Sequence, residues 1–345
     1  MVKTKLCLVG AGSIGRRHLR LLSEREDVQL AGVEPNAQCQ AAALDILPGV
    51  PFFDSIEEAV TAGGCEAVII ATPHKTHAPL AIQALKLGVH VFVEKPMSDS
   101  LEDCVALLNA AKKSDKVVAV GFMFRFDPFV QKVKEIIDSG RIGRIVHYSS
   151  RFATYNTLLC SVTKHQQNTP YSLVMDCIHD SDLLYHFTGR IPDYAYSVAY
   201  QAGDLPLSSP QNFIDTVYRW EDKSMGAHIH FNYVQHPQIH DLQIVGDKGY
   251  ILGDFMSADV TVGSRETADT EVFSATRSGI DNDFNNVYRA QWNEFLRAIR
   301  GERKAENPPE QAIVSTLLMH AQIDSAESGG ETDIRALAKQ YGYEY

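Results

Sequence analysis

The feature that most restricts this chain is a glycine pattern close to its start. Lys5–Gly10 (KLCLVG) reads as a short buried strand and runs directly into Gly10-Ala11-Gly12-Ser13-Ile14-Gly15, a G-x-G-x-x-G pattern. A helical stripe follows over Ile14–Ser23, with Ile14, Leu19, Leu21 and Leu22 in phase, and a second strand, Val28–Glu34, ends on an acidic residue. Glycines alone mean little, since they cluster in many loops. Placed between a strand and a helix, with an acid after the next strand, they form the full dinucleotide fingerprint. Gly10 permits the tight turn, Gly12 lets a pyrophosphate approach the backbone, and Gly15 lets the helix pack close to the strand. The N–H groups and dipole of the helix N-terminus, at Ser13 and Ile14, then face the phosphates. Glu34 is placed to accept from the ribose hydroxyls. Its carboxylate repels a 2′-phosphate, and Pro35-Asn36-Ala37 offers no arginine to hold one, so NAD is expected over NADP.

The rest of the first third keeps the same rhythm. Ala67–Thr72 (AVIIAT), Val89–Glu94 and Lys116–Gly121 read as strands, separated by helical patterns at 76–87 and 99–113, which implies a parallel sheet with crossover helices. After residue 122 the pattern changes. Phe126–Ser139 is helical and ends at Gly140, and Arg144–Phe152 alternates like a strand. The segment 153–175 is polar, without a clear element, and is a candidate substrate loop. Ser181–Phe187 is helical, with Gly189 as its cap. Segments 194–201, 212–220, 225–234, 239–246 and 249–263 read as successive strands, with hairpin-like connections at Glu221–Ser224 and Gly246–Gly249. Asp283–Arg300 and Glu310–Ser328 are amphipathic helices. The expected fold class is α/β: an N-terminal Rossmann parallel sheet over residues 1–122, then a C-terminal α+β domain over 123–345 with a largely antiparallel, open-faced sheet.

Composition narrows the partners. At 345 residues, 45% hydrophobic and 22% charged, the chain is long enough for two globular domains. A net charge of −11 excludes an extended basic surface for nucleic acid and makes an anionic membrane a poor partner, while leaving room for a local basic pocket. No apolar run approaches a membrane span. The two lysines and short apolar stretch of Met1–Gly10 superficially resemble a signal peptide, but the stretch is too short and leads into the glycine motif. The six cysteines are scattered without a C-x-x-C pair, as reduced core thiols are, so a cytoplasmic setting is expected. His74 and His77, and His236 and His240, have metal-like spacing but no cysteine or acidic cluster beside them, so no metal is expected. His228, His230 and Asn232 alternate with Ala227, Ile229, Phe231 and Tyr233. That period puts the polar set on one face of a strand: a solvated face, or one used in a subunit interface or substrate pocket.

Val91–Pro96 (VFVEKP) ends a parallel strand with Lys95 at its carboxyl edge, where open α/β sheets bind ligands. Facing a positively charged nicotinamide, such a lysine is suited to exchanging protons near neutrality; the plain alternative is a surface lysine in a loop. Arg125, after the last parallel strand, is a candidate for binding an anionic substrate group, for pairing with Asp127, or for fixing a hinge.

With these pieces in place, the chain resembles the glucose–fructose oxidoreductase/inositol dehydrogenase (Gfo/Idh/MocA) family. The matching pieces run in order: Gly10–Gly15 with His18, Ala71–His77 (ATPHKTH), Glu94-Lys95-Pro96, Gly121–Pro128 (GFMFRFDP), Ser139–Gly143 (SGRIG) and His179–Leu184 (HDSDLL). The resemblance implies an NAD-dependent CH–OH oxidoreductase whose C-terminal sheet joins a homo-oligomer, a dimer or tetramer. By motif match Lys95 is the catalytic lysine and His179 the catalytic histidine. Thr72, Pro73, His74 and His77 lie on the loop that meets the nicotinamide half, and Glu94 and Lys95 approach the nicotinamide ribose and the substrate.

One departure is visible: Asp176 stands three residues before His179, where many relatives have four, and the glycines usual just before are replaced by Pro170-Tyr171-Ser172-Leu173. Within one helix either spacing keeps an Asp–His contact. The expected chemistry is hydride transfer between nicotinamide and a secondary alcohol or anomeric carbon of a sugar, sugar derivative or cyclitol. His179, oriented by Asp176, is the general base, and Lys95, Arg125, Asp176 and His179 surround the substrate. The alternatives are a non-catalytic NAD- or sugar-binding regulator, and a hydrolase or eliminase that uses NAD transiently.

Overall fold

A computed structural model describes residues 3–161, 164–275 and 284–345. The chain begins β1 (Thr4–Val9), α1 (Ser13–Ser23), β2 (Val28–Val33), α2 (Ala37–Ile46), α3 (Ile56–Thr61), β3 (Ala67–Ile70), α4 (His77–Lys86), β4 (His90–Val93), α5 (Leu101–Lys112) and β5 (Val118–Val120). It continues with α6 (Pro128–Asp138), β6 (Ile145–Ala153), α7 (Asn156–Cys160), α8 (Ser172–Asp176) and α9 (Ile178–Thr188). The strands β7 (Tyr194–Tyr200), β8 (Phe213–Arg219), β9 (Gly226–Asn232), β10 (Ile239–Gly246), β11 (Gly249–Asp254), β12 (Asp259–Ser264) and β13 (Thr270–Ser274) follow. Last come α10 (Asn285–Ile299), α11 (Pro309–Ser328), β14 (Glu331–Asp333) and α12 (Ile334–Gln340). These residues form two compact units, Met1–Phe126 with Asp281–Thr316, and Asp127–Ile280 with Leu317–Tyr345.

The first unit is built on a five-stranded sheet in the order β2-β1-β3-β4-β5, with every neighbouring pair parallel. Its strands are largely apolar and buried, as in sheets covered on both faces. The chain leaves β1 for β2 on one side and returns to β3 on the other. The carboxyl ends of β1 and β3 therefore flank the topological switch point, where such sheets bind ligands. Two helices not anticipated from periodicity, α2 and α3, start at good caps: the Asn36 side chain accepts from Gln38 and Cys39, and Ser55 accepts from Glu58. One face of the sheet is closed by α10, whose Trp292, Phe295 and Leu296 join Leu6, Leu8, Leu19, Leu30, Ile69 and Phe92 in a single core. Trp292 and Phe295 lie 4.5 and 5.6 Å from the Phe92 ring. Each such buried side chain contributes about 1.5–3 kcal/mol relative to exposure.

The second unit carries a nine-stranded sheet, β13-β12-β11-β10-β6-β9-β8-β7-β14, in which only β6 and β9 pair in parallel among the described strands. Burial alternates along β8, β9 and β10, so one face is covered and the other open. The run 249–263, read as one strand, is two: it breaks at a turn over Phe255–Ala258, where Ala258 takes a left-handed φ of 59°. The segment 153–175 is not featureless. It holds α7, a 3₁₀ turn at His165–Gln167 and the start of α8, with residues 162 and 163 outside the described ones. Asp283, expected to open the next helix, also lies outside them; α10 begins at Asn285. Gly189 ends α9 at a φ of 64°, as a left-handed cap should. Among the described residues no helix is long and apolar enough to cross a membrane.

Candidate active site

The three glycines of the first loop differ in what they do. Gly10 has a φ of +93°, and a Cβ there would sit 2.7 Å from the Ala71 carbonyl oxygen. A Cβ on Gly15 would lie 2.0 Å from the Gly10 carbonyl oxygen, so both positions are required by the fold itself. Gly12 is different. Its φ of −63° suits any residue, and nothing lies within 4 Å of where its Cβ would be. The space a side chain would fill is left open at the start of α1, where Gly12 supplies no side-chain cap and the first turn carries no acid. Ser13 and Ile14 are exposed beside it. Open space, uncapped N–H groups and the positive end of a helix fit a pyrophosphate. Glu34 borders this cradle: its Oε2 accepts from the Ala11 N–H at 2.6 Å and its Oε1 from the Asn36 N–H at 2.8 Å. The acid is thus held by backbone on both oxygens, next to the glycine loop.

The loops after β3 and β4 form the next part of the carboxyl edge. His77 opens α4 and is fully buried. Its Nε2 lies 2.8 Å from the Thr72 carbonyl oxygen and its Nδ1 2.8 Å from the Pro96 carbonyl oxygen. The ring therefore ties the loop of Thr72, Pro73 and His74 to the loop of Lys95. Two carbonyls favour an imidazolium, but burial disfavours the charge more, and the His77 pKa is held below its ordinary value. Thr76 reinforces the same loop by donating to the Thr72 hydroxyl at 2.7 Å.

Glu94 and Lys95 follow β4, with a cis bond between Lys95 and Pro96. Lys95 is half-buried, whereas Glu94 is turned inward. Glu94 Oε1 lies 2.8 Å from His18 Nε2, and Oε2 accepts from the Lys95 N–H at 3.1 Å. Burial pushes the Glu94 carboxyl up, but the His18 hydrogen bond, with the Lys95 ammonium and N–H, outweighs it and holds the pKa below its usual value. Arg125 is buried in a 3₁₀ turn, Met123–Phe126, and donates to the Glu306 carbonyl at 3.3 Å and to the Gln311 side chain.

Asp176 and His179 belong to the second unit, and here a sequence expectation changes. The backbone breaks at Cys177 (φ −89°, ψ 12°), so Asp176 ends α8 while His179 lies in the first turn of α9. The two residues do not share a helix, so their spacing does not set a contact between them. The Asp176 carboxylate accepts from the Tyr233 hydroxyl at 2.6 Å and from Gln166 Nε2 at 3.0 Å. His179 is buried. Neither Tyr233 nor Gln166 was singled out from sequence: Tyr233 continues the apolar face of β9, and Gln166 lies in the segment without pattern. Two further constellations emerge. Asp215 Oδ1 lies 3.1 Å from His228 Nε2 and 2.8 Å from His230 Nδ1 on the sheet. His240 is buried against Asp180, 3.2 Å away, with its ring stacked 3.8 Å from that of Phe255.

Residues 4–122 match the model of an oxidoreductase family with an NAD-binding Rossmann fold, and residues 134–334 match the C-terminal alpha/beta domain of the same family. The chain belongs to this Gfo/Idh/MocA oxidoreductase family, and residues 4–122 are its NAD-binding domain. Among curated relatives, inositol 2-dehydrogenase of Corynebacterium glutamicum (strain R) is 34% identical over 142 residues, which is 40% of this chain and 42% of that protein. The scyllo-inositol 2-dehydrogenase (NAD(+)) of Bacillus subtilis is 36% identical over 127 residues, 36% of each chain. The chain thus spans about two fifths of the length of the curated relatives it matches. A scyllo-inositol dehydrogenase structure from Lactobacillus casei, with NAD(H) and scyllo-inositol bound, aligns at a TM-score of 0.80 with 22% identity, covering 96% of this chain and 99% of that one. An oxidoreductase from Agrobacterium radiobacter, in complex with NAD+, L-tartaric acid and magnesium, aligns at 0.83 with 18% identity, covering 97% and 100%. At these identities the structures establish the shared fold.

Proposed function

We infer that the protein is a cytoplasmic NAD-dependent dehydrogenase that oxidises or reduces a secondary alcohol or anomeric carbon of a cyclitol or sugar. The observation that carries this reading is Lys95: it stands at the carboxyl edge of β4, in the same sheet as the open cradle over Gly12, and its backbone is fixed by Glu94. Bound NAD supplies the hydride acceptor and donor at its nicotinamide. The uncapped start of α1 holds the pyrophosphate, Glu34 the adenosine ribose, and the loop of Thr72, Pro73, His74 and His77 the nicotinamide half. Lys95 Nζ polarises the substrate oxygen and takes part in moving its proton. His179 is the general base, Asp176 orients it, and Arg125 borders the substrate. The names of the relatives support a cyclitol or sugar as substrate. The apolar residues Tyr196, Val198, Tyr200 and Val217, exposed on the open sheet, support a homo-oligomer. The cysteines, none of them in a disulfide, support the cytoplasm.

The test is a screen of cyclitols, sugars and glycosides for NADH formation, with the Lys95→Ala variant alongside. We expect turnover on at least one polyol, a loss of about 10²–10⁴-fold in kcat for the variant, and an NAD affinity close to that of the parent. Near-normal turnover by the variant would overturn the assignment of Lys95. A silent screen with tight NAD binding would replace the dehydrogenase with a regulator or a transient user of NAD.

A further inference from the structure

His18 lies on the buried stripe of α1 with no exposure to solvent, in a setting otherwise apolar. Its ring meets those of Phe92 on β4 and of Tyr288 and Trp292 on α10 edge to face, at centroid distances of 5.7, 5.5 and 5.0 Å. Three rings set at 75–86° to the imidazole fix its plane. A histidine in such a pocket needs a reason, because burying a polar ring costs free energy unless its polar atoms are used. One atom is used. Nε2 reaches Glu94 Oε1 at 2.8 Å, while Nδ1 is buried without a hydrogen-bond partner. A proton on Nδ1 would be stranded, whereas a bare Nδ1 is the cheaper group to leave apolar. The pocket therefore selects a proton on Nε2, donating to the carboxylate.

The carboxylate is clamped from the other sides as well. Oε2 accepts the Lys95 N–H at 3.1 Å, and Gly121 lies so close that a Cβ there would come within 2.9–3.0 Å of Oε1, Oε2 and Cδ of Glu94. The chain of support runs from α10 through the His18 ring to Glu94 and on to the backbone of Lys95.

We propose that His18 is a positioning residue for Lys95: it fixes the Glu94 carboxylate on which the Lys95 backbone amide hangs. The inference rests on the catalytic role assigned to Lys95 above. His18→Phe keeps an aromatic ring in the pocket and removes the donor; His18→Gln restores an N–H donor. The expected result is a fall in kcat of about 10- to 100-fold for His18→Phe, with little change in NAD affinity, and recovery of most of that loss in His18→Gln. In a Lys95→Ala background, His18→Phe should cost nothing further. The ¹⁵N spectrum of the wild-type histidines should show His18 protonated at Nε2 alone, with or without NAD. Wild-type kcat in His18→Phe, an equal loss in the Lys95→Ala background, no recovery in His18→Gln, or an Nδ1–H tautomer would each overturn the proposal. If no polyol is turned over by the wild type, the dehydrogenase reading falls on that result, while the tautomer still decides whether His18 donates to Glu94.

Discussion

The hydroxyl of Tyr233 donates a 2.6 Å hydrogen bond to the carboxylate of Asp176. Burial, and then the charge of Asp176, drive the Tyr233 pKa well above its ordinary value, so the phenol keeps its proton as the donor. Replacing Tyr233 by Phe removes a donor to a charged group and leaves Gln166 as the remaining partner described above. The expected cost is about 1.5–3 kcal/mol, read from urea denaturation. A variant as stable as the parent would show that the bond contributes nothing net.

The glycine loop makes a sharp contrast testable. Gly15→Ala drives a methyl into the Gly10 carbonyl and should cost about 1–3 kcal/mol or prevent folding. Gly12→Ala meets nothing, so its thermal midpoint should match the parent while its NAD affinity falls. Calorimetry of folding and of NAD binding separates the two, and an unstable Gly12→Ala protein would contradict the open space seen there.

Glu34 should govern cofactor choice. Glu34→Ala removes the ribose acceptor and the charge that opposes a 2′-phosphate. NAD binding should weaken about tenfold, the value of roughly one hydrogen bond to a charged group, and NADP should gain relative to NAD. Titration of both cofactors against the variant measures the ratio. An unchanged ratio would place the discrimination elsewhere.

Three histidines contribute to the pH dependence of stability just below neutrality. Burial, the largest cause for each, holds the pKa values of His77, His90 and His147 below their ordinary 6.5. His90 Nδ1 also accepts the Val117 N–H at 3.0 Å, which a proton there would abolish. With folded values depressed, the unfolded chain binds more protons just below 6.5, so stability is full above that pH and falls as pH drops through the folded values. Urea midpoints collected between acidic and neutral pH should decline in that direction. His90→Gln should flatten part of the slope.

The buried pair His240 and Asp180 invites a double-mutant cycle. His240→Leu strands the Asp180 carboxylate, which is fully buried, and should cost about 3–5 kcal/mol. Adding Asp180→Leu should return a large part of that loss, since two apolar residues no longer leave a charge unpaired. A double variant no more stable than His240→Leu would mean that the pair is not the unit of stabilisation.

The parallel sheet and the glycine cradle were legible because each rests on local chemistry: β-branched strands, a strand–glycine–helix order, an acid at a fixed place. His18 left a trace too, as a polar residue on the apolar stripe of α1, although its partner lies 76 residues away on β4. What stayed hidden depends on long-range contact. The break at Cys177 turns Asp176 away from a simple helical relationship with His179, and no periodicity foretells a kink between two short helices. Tyr233 and Gln166 reach Asp176 from distant or unpatterned segments. The turn that splits β11 from β12 is carried by Ala258 at positive φ, where no glycine or asparagine marks it.

The core of the first unit has a consequence for biosynthesis. Phe92 and Ala119 are laid down early, yet Trp292, Phe295 and Leu296, which close over them, are near the end of the chain. On the ribosome the sheet emerges with the part of its face around Phe92 and Ala119 still uncovered, while most of the polypeptide is being translated. A nascent chain in that state is a natural client for a chaperone. A premature stop codon between β5 and α10 would release a nucleotide-binding sheet whose core cannot close, whatever the quality of its glycine loop.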